Sequence, residues 1–260
     1  MGKPTDALDL AGRVAIVTGG TKGVGRGIAT RFLEAGADVV VTARNEPDEP
    51  LVVDGREALF TAADVRDPDQ AAAVVAFTVE RLGRLDAAVN NAGGAPFADA
   101  ATASPRFSES LIRLNLISAL HLAQAANAVM QSQADGGSIV NISSVSGMRP
   151  SPGTAAYGAA KAGLISLTTT LAVEWAPKVR VNCVSPGLIR TEQAHLHYGD
   201  DAGIAAVSAT VPLGRLGTPG EVGDACLFLC SALASYVSGA NLVVHGGGEA
   251  PSFLDAANAD

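Results

Sequence analysis

Short runs rich in Val, Ile, Ala and Thr recur along the chain, and each is followed by a longer stretch whose apolar positions fall every three to four residues. The first pattern fits strands buried on both faces and the second fits amphipathic helices, so their alternation predicts βαβ units winding a parallel sheet. Strands are expected at 13–18, 38–42, 58–62, 85–90, 138–143, 179–185 and 241–244, and helices at 23–35, 68–82, 107–131, 154–175 and 219–232. The expected fold is α/β, a three-layer doubly wound parallel sheet of about seven strands with helices on both faces.

Two helix starts carry explicit signals. Asp67-Pro68 offers an N-cap followed by proline at the first helical position, and Thr218-Pro219-Gly220-Glu221 has the spacing of a capping box. Between 45 and 57, Pro47, Pro50 and Gly55 interrupt any crossover helix, so a loop is expected there. The stretch 192–215 is irregular and holds His195, His197, Tyr198, Gly199 and Gly203. A long loop of this kind, spanning about 190–216, reads as a lid over a substrate.

Composition narrows the class. With 260 residues, 48% hydrophobic content and no linker, 1–260 reads as a single domain able to bury a large core. Aromatics make up only 4%, which suits close helix-to-sheet packing. The net charge of −8 excludes nucleic acid and anionic membrane surfaces as partners of the molecule's overall field. The first ten residues carry Lys3, Asp6 and Asp9 and no signal-like apolar core, and no apolar run reaches the ~18 residues of a membrane span, so a soluble cytoplasmic protein is expected. Cys183, Cys226 and Cys230 read as reduced buried thiols, with no completed ligand set and hence no metal site.

The first predicted strand runs into Thr18-Gly19-Gly20-Thr21-Lys22-Gly23-Val24-Gly25 and then a helix beginning around Arg26. Glycines let backbone approach a pyrophosphate, and the helix start supplies free amides and the positive dipole end. Where an acid would accept hydrogen bonds from an adenosine ribose, the second strand ends in Thr42-Ala43-Arg44. Arg44, with Lys22 in the turn, suits a 2′-phosphate, so NADP(H) is the expected cofactor and NAD(H) the alternative. Glu46, Asp48 and Glu49 lie close enough in sequence to neutralise Arg44.

Tyr157 and Lys161 fall one turn apart on a predicted helix, and an ammonium beside a phenol favours the phenolate. The pair therefore suggests proton transfer at a carbonyl or alcohol. Together with the glycine turn, the chain from Arg13 to Gly247 resembles the short-chain dehydrogenase/reductase family. In that resemblance Asn115, Ser144, Tyr157 and Lys161 match the catalytic tetrad. The cofactor turn is Gly19 to Gly25. Asp64, followed by Val65, matches the adenine contact. Asn90-Asn91-Ala92-Gly93 matches the motif after the fourth strand, and Pro186-Gly187 with Thr191 matches the segment flanking the nicotinamide.

The resemblance implies a Rossmann fold and an NAD(P)-dependent oxidoreductase interconverting a ketone and a secondary alcohol. Tyr157 would be the acid/base, Ser144 would hold the substrate oxygen, Lys161 would lower the Tyr157 pKa and bind nicotinamide ribose, and Asn115 would help position a proton-relaying water. Strand alternation lets only one of Ser143 and Ser144 face the site, and the family spacing selects Ser144. Asn91 is expected chiefly to tie strand ends together, His195 and His197 to be solvated or substrate-facing, and Trp175 and Phe228 to be core or interface residues. The resemblance extends to 3-oxoacyl thioester reductases through Pro212-Leu213-Gly214-Arg215 and Gly220-Glu221, while steroids and other alcohols stay open as substrates. Glu192, Asp200 and Asp201 in the lid disfavour an acidic carrier protein. A homotetramer or homodimer is implied, and the competing reading is a non-catalytic NADP(H) sensor on the same fold.

Overall fold

The computed structural model describes residues 6–249; residues 1–5 and 250–260, at the ends of the domain read from the sequence, lie outside the described residues. In chain order the elements are β1 (Val14–Thr18), α1 (Gly23–Glu34), β2 (Asp38–Ala43), β3 (Val52–Val53), β4 (Arg56–Glu57), β5 (Leu59–Ala62), α2 (Pro68–Leu82), β6 (Ala87–Asn90) and α3 (Pro105–Ile112). There follow α4 (Ser118–Ser132), β7 (Gly137–Ile142), α5 (Ala155–Glu174), β8 (Val179–Pro186), α6 (His195–Tyr198), α7 (Asp201–Ala209), α8 (Pro219–Cys230) and β9 (Asn241–Val244).

Seven strands pair in the order β5-β2-β1-β6-β7-β8-β9, all parallel, while β3 and β4 form a separate two-stranded hairpin. The period-two alternation of the strands feeds two cores. Ala15, Val17, Val39 and Val41 face Ile28, Phe32, Val222 and Cys226 on α1 and α8. Ile16, Val40, Ala88 and Ile139 face Val74, Leu122 and Leu171 on α2, α4 and α5. Trp175 and Phe228 pack against these cores half-buried. The α1–α8 contact is close enough that a Cβ at Gly27 would lie 2.4 Å from the Pro219 side chain.

The chain winds outward from β1 through β2 to β5, then returns to lay β6 on the other side of β1. That reversal opens a crevice beyond the carboxyl ends of β1 and β6, where doubly wound sheets bind nucleotides.

The signalled helix starts form as expected. Asp67 accepts hydrogen bonds from the Asp69 and Gln70 amides, and Thr218 and Glu221 complete the capping box. The segment 45–57 has no helix, and its second half forms the β3–β4 hairpin.

Three expectations are corrected. The helix placed at 107–131 starts earlier, because Ser104 accepts a hydrogen bond from the Phe107 amide and Pro105 opens the first turn. It is also interrupted: residues Arg113–Ile117 form a widened π-type turn, with the Ser118 amide donating to the Arg113 carbonyl five residues back. The first long helix starts at Gly23, in line with the expected range 23–35 and not with a start around Arg26. The 192–215 stretch is largely helical, since Gly199 (φ 80°) ends α6 and Asp200 caps α7 by accepting from the Gly203 amide at 3.0 Å. Gly199 thus divides two helices while Gly203 lies inside the second, and Ala194, Ile204, Val211 and Leu216, on α7 and the segments around the two helices, form a small apolar cluster.

Candidate active site

β1 delivers the chain to Gly19, whose amide donates to the Thr42 carbonyl at 2.7 Å and so pins the glycine turn to the end of β2. Gly25 must lack a side chain: a Cβ there would lie 2.2 Å from the Gly19 carbonyl oxygen and 2.5 Å from Asn91 Nδ2. The turn leaves Thr21 and Val24 half-buried, and Lys22, which flanks the start of α1, exposed. Asn91 ties this turn to β6, donating from Nδ2 to the Thr18 carbonyl (2.9 Å) and from its amide to Thr18 Oγ1 (2.9 Å); the Ala92 amide shares that hydroxyl. The strand-tying role expected for Asn91 is thus visible in its bonds.

The α1 amino terminus holds a carboxylate. The Gly23 amide donates to Glu192 Oε1 at 2.8 Å, and Thr191 lies beside it. A helix start that binds one anion suits another, so the turn fits the diphosphate of a dinucleotide. Arg44 is exposed past the end of β2 and, among the described residues, forms no ion pair with Glu46, Asp48 or Glu49. Asp64 accepts two hydrogen bonds from Arg66 Nε (2.9 and 3.1 Å), and its amide donates to Gln70. Arg66 first, and Arg44 more weakly, hold the Asp64 carboxyl below its usual value, despite the opposing effect of burial. Val65 is buried next to it.

Ser143 and Ser144 follow β7 and make different contacts. Ser143 is buried and donates to the Lys161 carbonyl at 2.8 Å, while Ser144 Oγ accepts from the Ser146 amide at 3.1 Å and stands near Tyr157. Burial raises the Tyr157 phenol above its ordinary pKa, and Ser144 pulls it partly back. Lys161 is 4% exposed; its Nζ donates to the Ile142 carbonyl at 2.7 Å and lies 5.6 Å from the centroid of the Tyr157 ring. Burial lowers Lys161 to about 8. The expected lowering of Tyr157 by its lysine is therefore corrected. Lys161 is buried and Tyr157 half-buried, and at Tyr157 desolvation outweighs the hydrogen bond with Ser144.

Asn115 sits on the widened turn, 1% exposed. Its Oδ1 accepts from the Gly94 amide (2.8 Å), and its Nδ2 donates to the carbonyls of Gly94 and Leu111 (3.0 Å each). The Cβ position at Gly93 is 2.6 Å from Asn115 Oδ1 and 3.3 Å from Lys161 Nζ, so the loop after β6 joins the two residues. Pro186 ends β8, and the Gly187 amide donates to the Val244 carbonyl at 2.9 Å.

Beside Ser144 a cavity of about 320 Å³ opens between the ends of β7, β8 and β9, lined by Val145, Met148, Gly187, Leu188 and His245. An ion pair between Arg149 and Glu249 stands at its rim. Tyr198 is raised above its ordinary pKa, first by burial and then by Glu249, with Arg149 opposing. His195 and His197 are exposed on α6. Neither this rim nor the role of Glu192 was legible in the sequence. Arg149 and Glu249 lie a hundred residues apart, and the position of Glu192 beside Thr191 was its only signal. Among the described residues no helix is long and apolar enough to cross a membrane, and no cluster of metal-ligating side chains occurs.

Comparison with known proteins agrees with this geometry. A family model described as Enoyl-(Acyl carrier protein) reductase matches residues 19–249. An uncharacterized oxidoreductase of Mycobacterium tuberculosis is 36% identical over 247 residues, covering 93% of this chain and 94% of that protein. The 3-oxoacyl-[acyl-carrier-protein] reductase of Chlamydia muridarum is 38% identical over 245 residues, covering 92% and 98%. The structure of Thermoplasma acidophilum aldohexose dehydrogenase superposes with a TM-score of 0.85 at 33% identity, over 92% of this chain and 94% of that one. The seven-stranded parallel sheet is thus Rossmann-like, and the chain belongs to the short-chain dehydrogenase/reductase family of oxidoreductases.

Proposed function

We propose that this oxidoreductase interconverts a ketone and a secondary alcohol, prefers NADP(H), and uses Tyr157 as acid and base. The observation that carries the reading is the convergence of buried Asn115 and Lys161 with half-buried Tyr157 and Ser144, beside a glycine turn whose helix start already binds an anion. The turn from Gly19 to Gly25, with Asn91, Ala92, Gly93, Pro186, Gly187 and Thr191 around the crevice, would hold the dinucleotide. Arg44 and Lys22, both exposed and at the adenosine end, would favour a 2′-phosphate. When bound, the nicotinamide supplies or accepts hydride.

The residues of the chain do the rest. Ser144 orients the substrate oxygen. Tyr157, a phenol at neutral pH, donates a proton to that oxygen as negative charge develops, and in the reverse direction its phenolate takes the alcohol proton. Lys161, anchored on the Ile142 carbonyl, presents a cation beneath the phenol, and Asn115 holds the loop after β6 against it. The polar rim of Arg149 and Glu249 favours a compact polar carbonyl over a long acyl chain. A relative named for a 3-oxoacyl carrier substrate keeps 3-oxoacyl thioesters in the screen.

The test is oxidation of NADPH, repeated with NADH, across 3-oxoacyl-CoA thioesters, steroid ketones and small hydroxylated ketones. Tyr157→Phe is expected to cut turnover by at least about a hundredfold while leaving NADPH binding intact. Unchanged turnover of every accepted carbonyl in that variant would refute the assignment.

A further inference from the structure

We infer that Glu192 competes with the cofactor's diphosphate for the amino terminus of α1, and so sets how tightly the cofactor is held and how fast it leaves. The inference rests on the proposed cofactor site. Its own evidence is a bond that spans the fold. The first amide of α1, at Gly23, has no partner within its helix, and Glu192, 169 residues later in the chain, accepts its proton at 2.8 Å.

Nothing local fills that position, because Lys22, at the N-cap, makes no side-chain capping bond. The carboxylate is brought in by the segment that leads from β8 into α6 and α7. That segment is anchored two residues on by Ala194, 4% exposed, in the apolar cluster with Ile204, Val211 and Leu216. Thr191 Cγ2 lies 3.7 Å from the Cβ position of Gly23, so two adjacent side chains of the segment meet the turn.

A carboxylate and a phosphate cannot share one amide without strong like-charge repulsion at contact distance. Entry of the diphosphate therefore displaces Glu192 and the start of the segment that carries it. Return of Glu192 favours departure of the spent cofactor, a step that often limits turnover in enzymes with mobile coverings. Glu192 acts here through the cofactor's binding site and touches no reacting atom.

Calorimetric titration of the intact protein with three ligands tests this: NADPH, 2′-phospho-ADP-ribose, which keeps the diphosphate, and adenosine 2′-monophosphate, which lacks it. Glu192→Ala is expected to tighten NADPH and 2′-phospho-ADP-ribose by about three- to tenfold, the scale of one carboxylate at a helix start, and to leave adenosine 2′-monophosphate unchanged. Glu192→Gln, which keeps an acceptor oxygen and loses the charge, should fall between wild type and Glu192→Ala. Stopped-flow displacement should show slower NADPH release in both variants. The loss of the capping bond should lower the thermal midpoint of ligand-free Glu192→Ala, so tighter binding would appear in a less stable protein. Unchanged or weaker NADPH binding in Glu192→Ala, or equal tightening of adenosine 2′-monophosphate, would overturn the inference. Failure of the wild-type protein to bind either NADPH or NADH would instead overturn the cofactor site on which it rests.

Discussion

Lys161 shows how far burial can override a neighbour's charge. Among the described residues its ammonium has one carbonyl for a partner and no carboxylate, and burial brings its pKa down to about 8. Between that value and the ordinary lysine value of about 10.4, the folded chain binds fewer protons at this position than the unfolded chain, so its contribution to stability rises with pH across that window. Below pH 8 the buried charge is a standing cost. The buried thiols, raised in the folded state, pull the other way at alkaline pH but are common to wild type and variant. Lys161→Met is therefore expected to gain stability over wild type near pH 7, and to lose that advantage by pH 10, as read by urea unfolding at a series of pH values. The sequence revealed the Tyr157–Lys161 pair through the helical spacing of four. The direction of the Tyr157 shift was hidden, because spacing reports proximity and says nothing of how much water surrounds the pair.

Helices and strands were legible wherever the signal was local. The capping box at Thr218 and Glu221 is written in four adjacent residues and forms as written, reinforced by Arg215, which bonds both Glu221 oxygens at 2.9 and 2.6 Å. Glu221 is held down to about 2, first by Arg215. Thr218→Ala is expected to cost about 1 kcal/mol and lower the midpoint of thermal unfolding by about 2–4 °C, measured by circular dichroism. Elements shaped by distant partners were not legible. The widened turn at Arg113–Ile117 departs from regular α-helix while the Asn115 side chain reaches across to Gly94, a bond between elements that no periodicity displays. The helices α6 and α7 were missed for a related reason: α6 is a single turn, and α7 starts from an aspartate cap hidden between two glycines.

The sheet and its order gather the site from the length of the chain, with β1, β6, β7 and β8 each ending at it. Strand alternation in the sequence predicted the number of strands and their parallel sense, and the crossover that opens the crevice followed from family resemblance rather than from any residue pattern. Longer-range still is the cover on α1. Ile28 and Phe32, on the helix that starts at the glycine turn, are fully buried in a core that includes Val222, Cys226 and Leu229 of α8. A chain cut after Gly217 is expected to lose its cooperative thermal transition and to bind hydrophobic dye, because the α1 face would be left bare. The same packing has a consequence for synthesis. As the chain leaves the ribosome, the first βαβ unit emerges early with its apolar helix face uncovered, and its cover is made almost last. The nucleotide-binding end therefore cannot mature first; it waits for α8, and a nascent chain stalled before Pro219 is a natural client for chaperones.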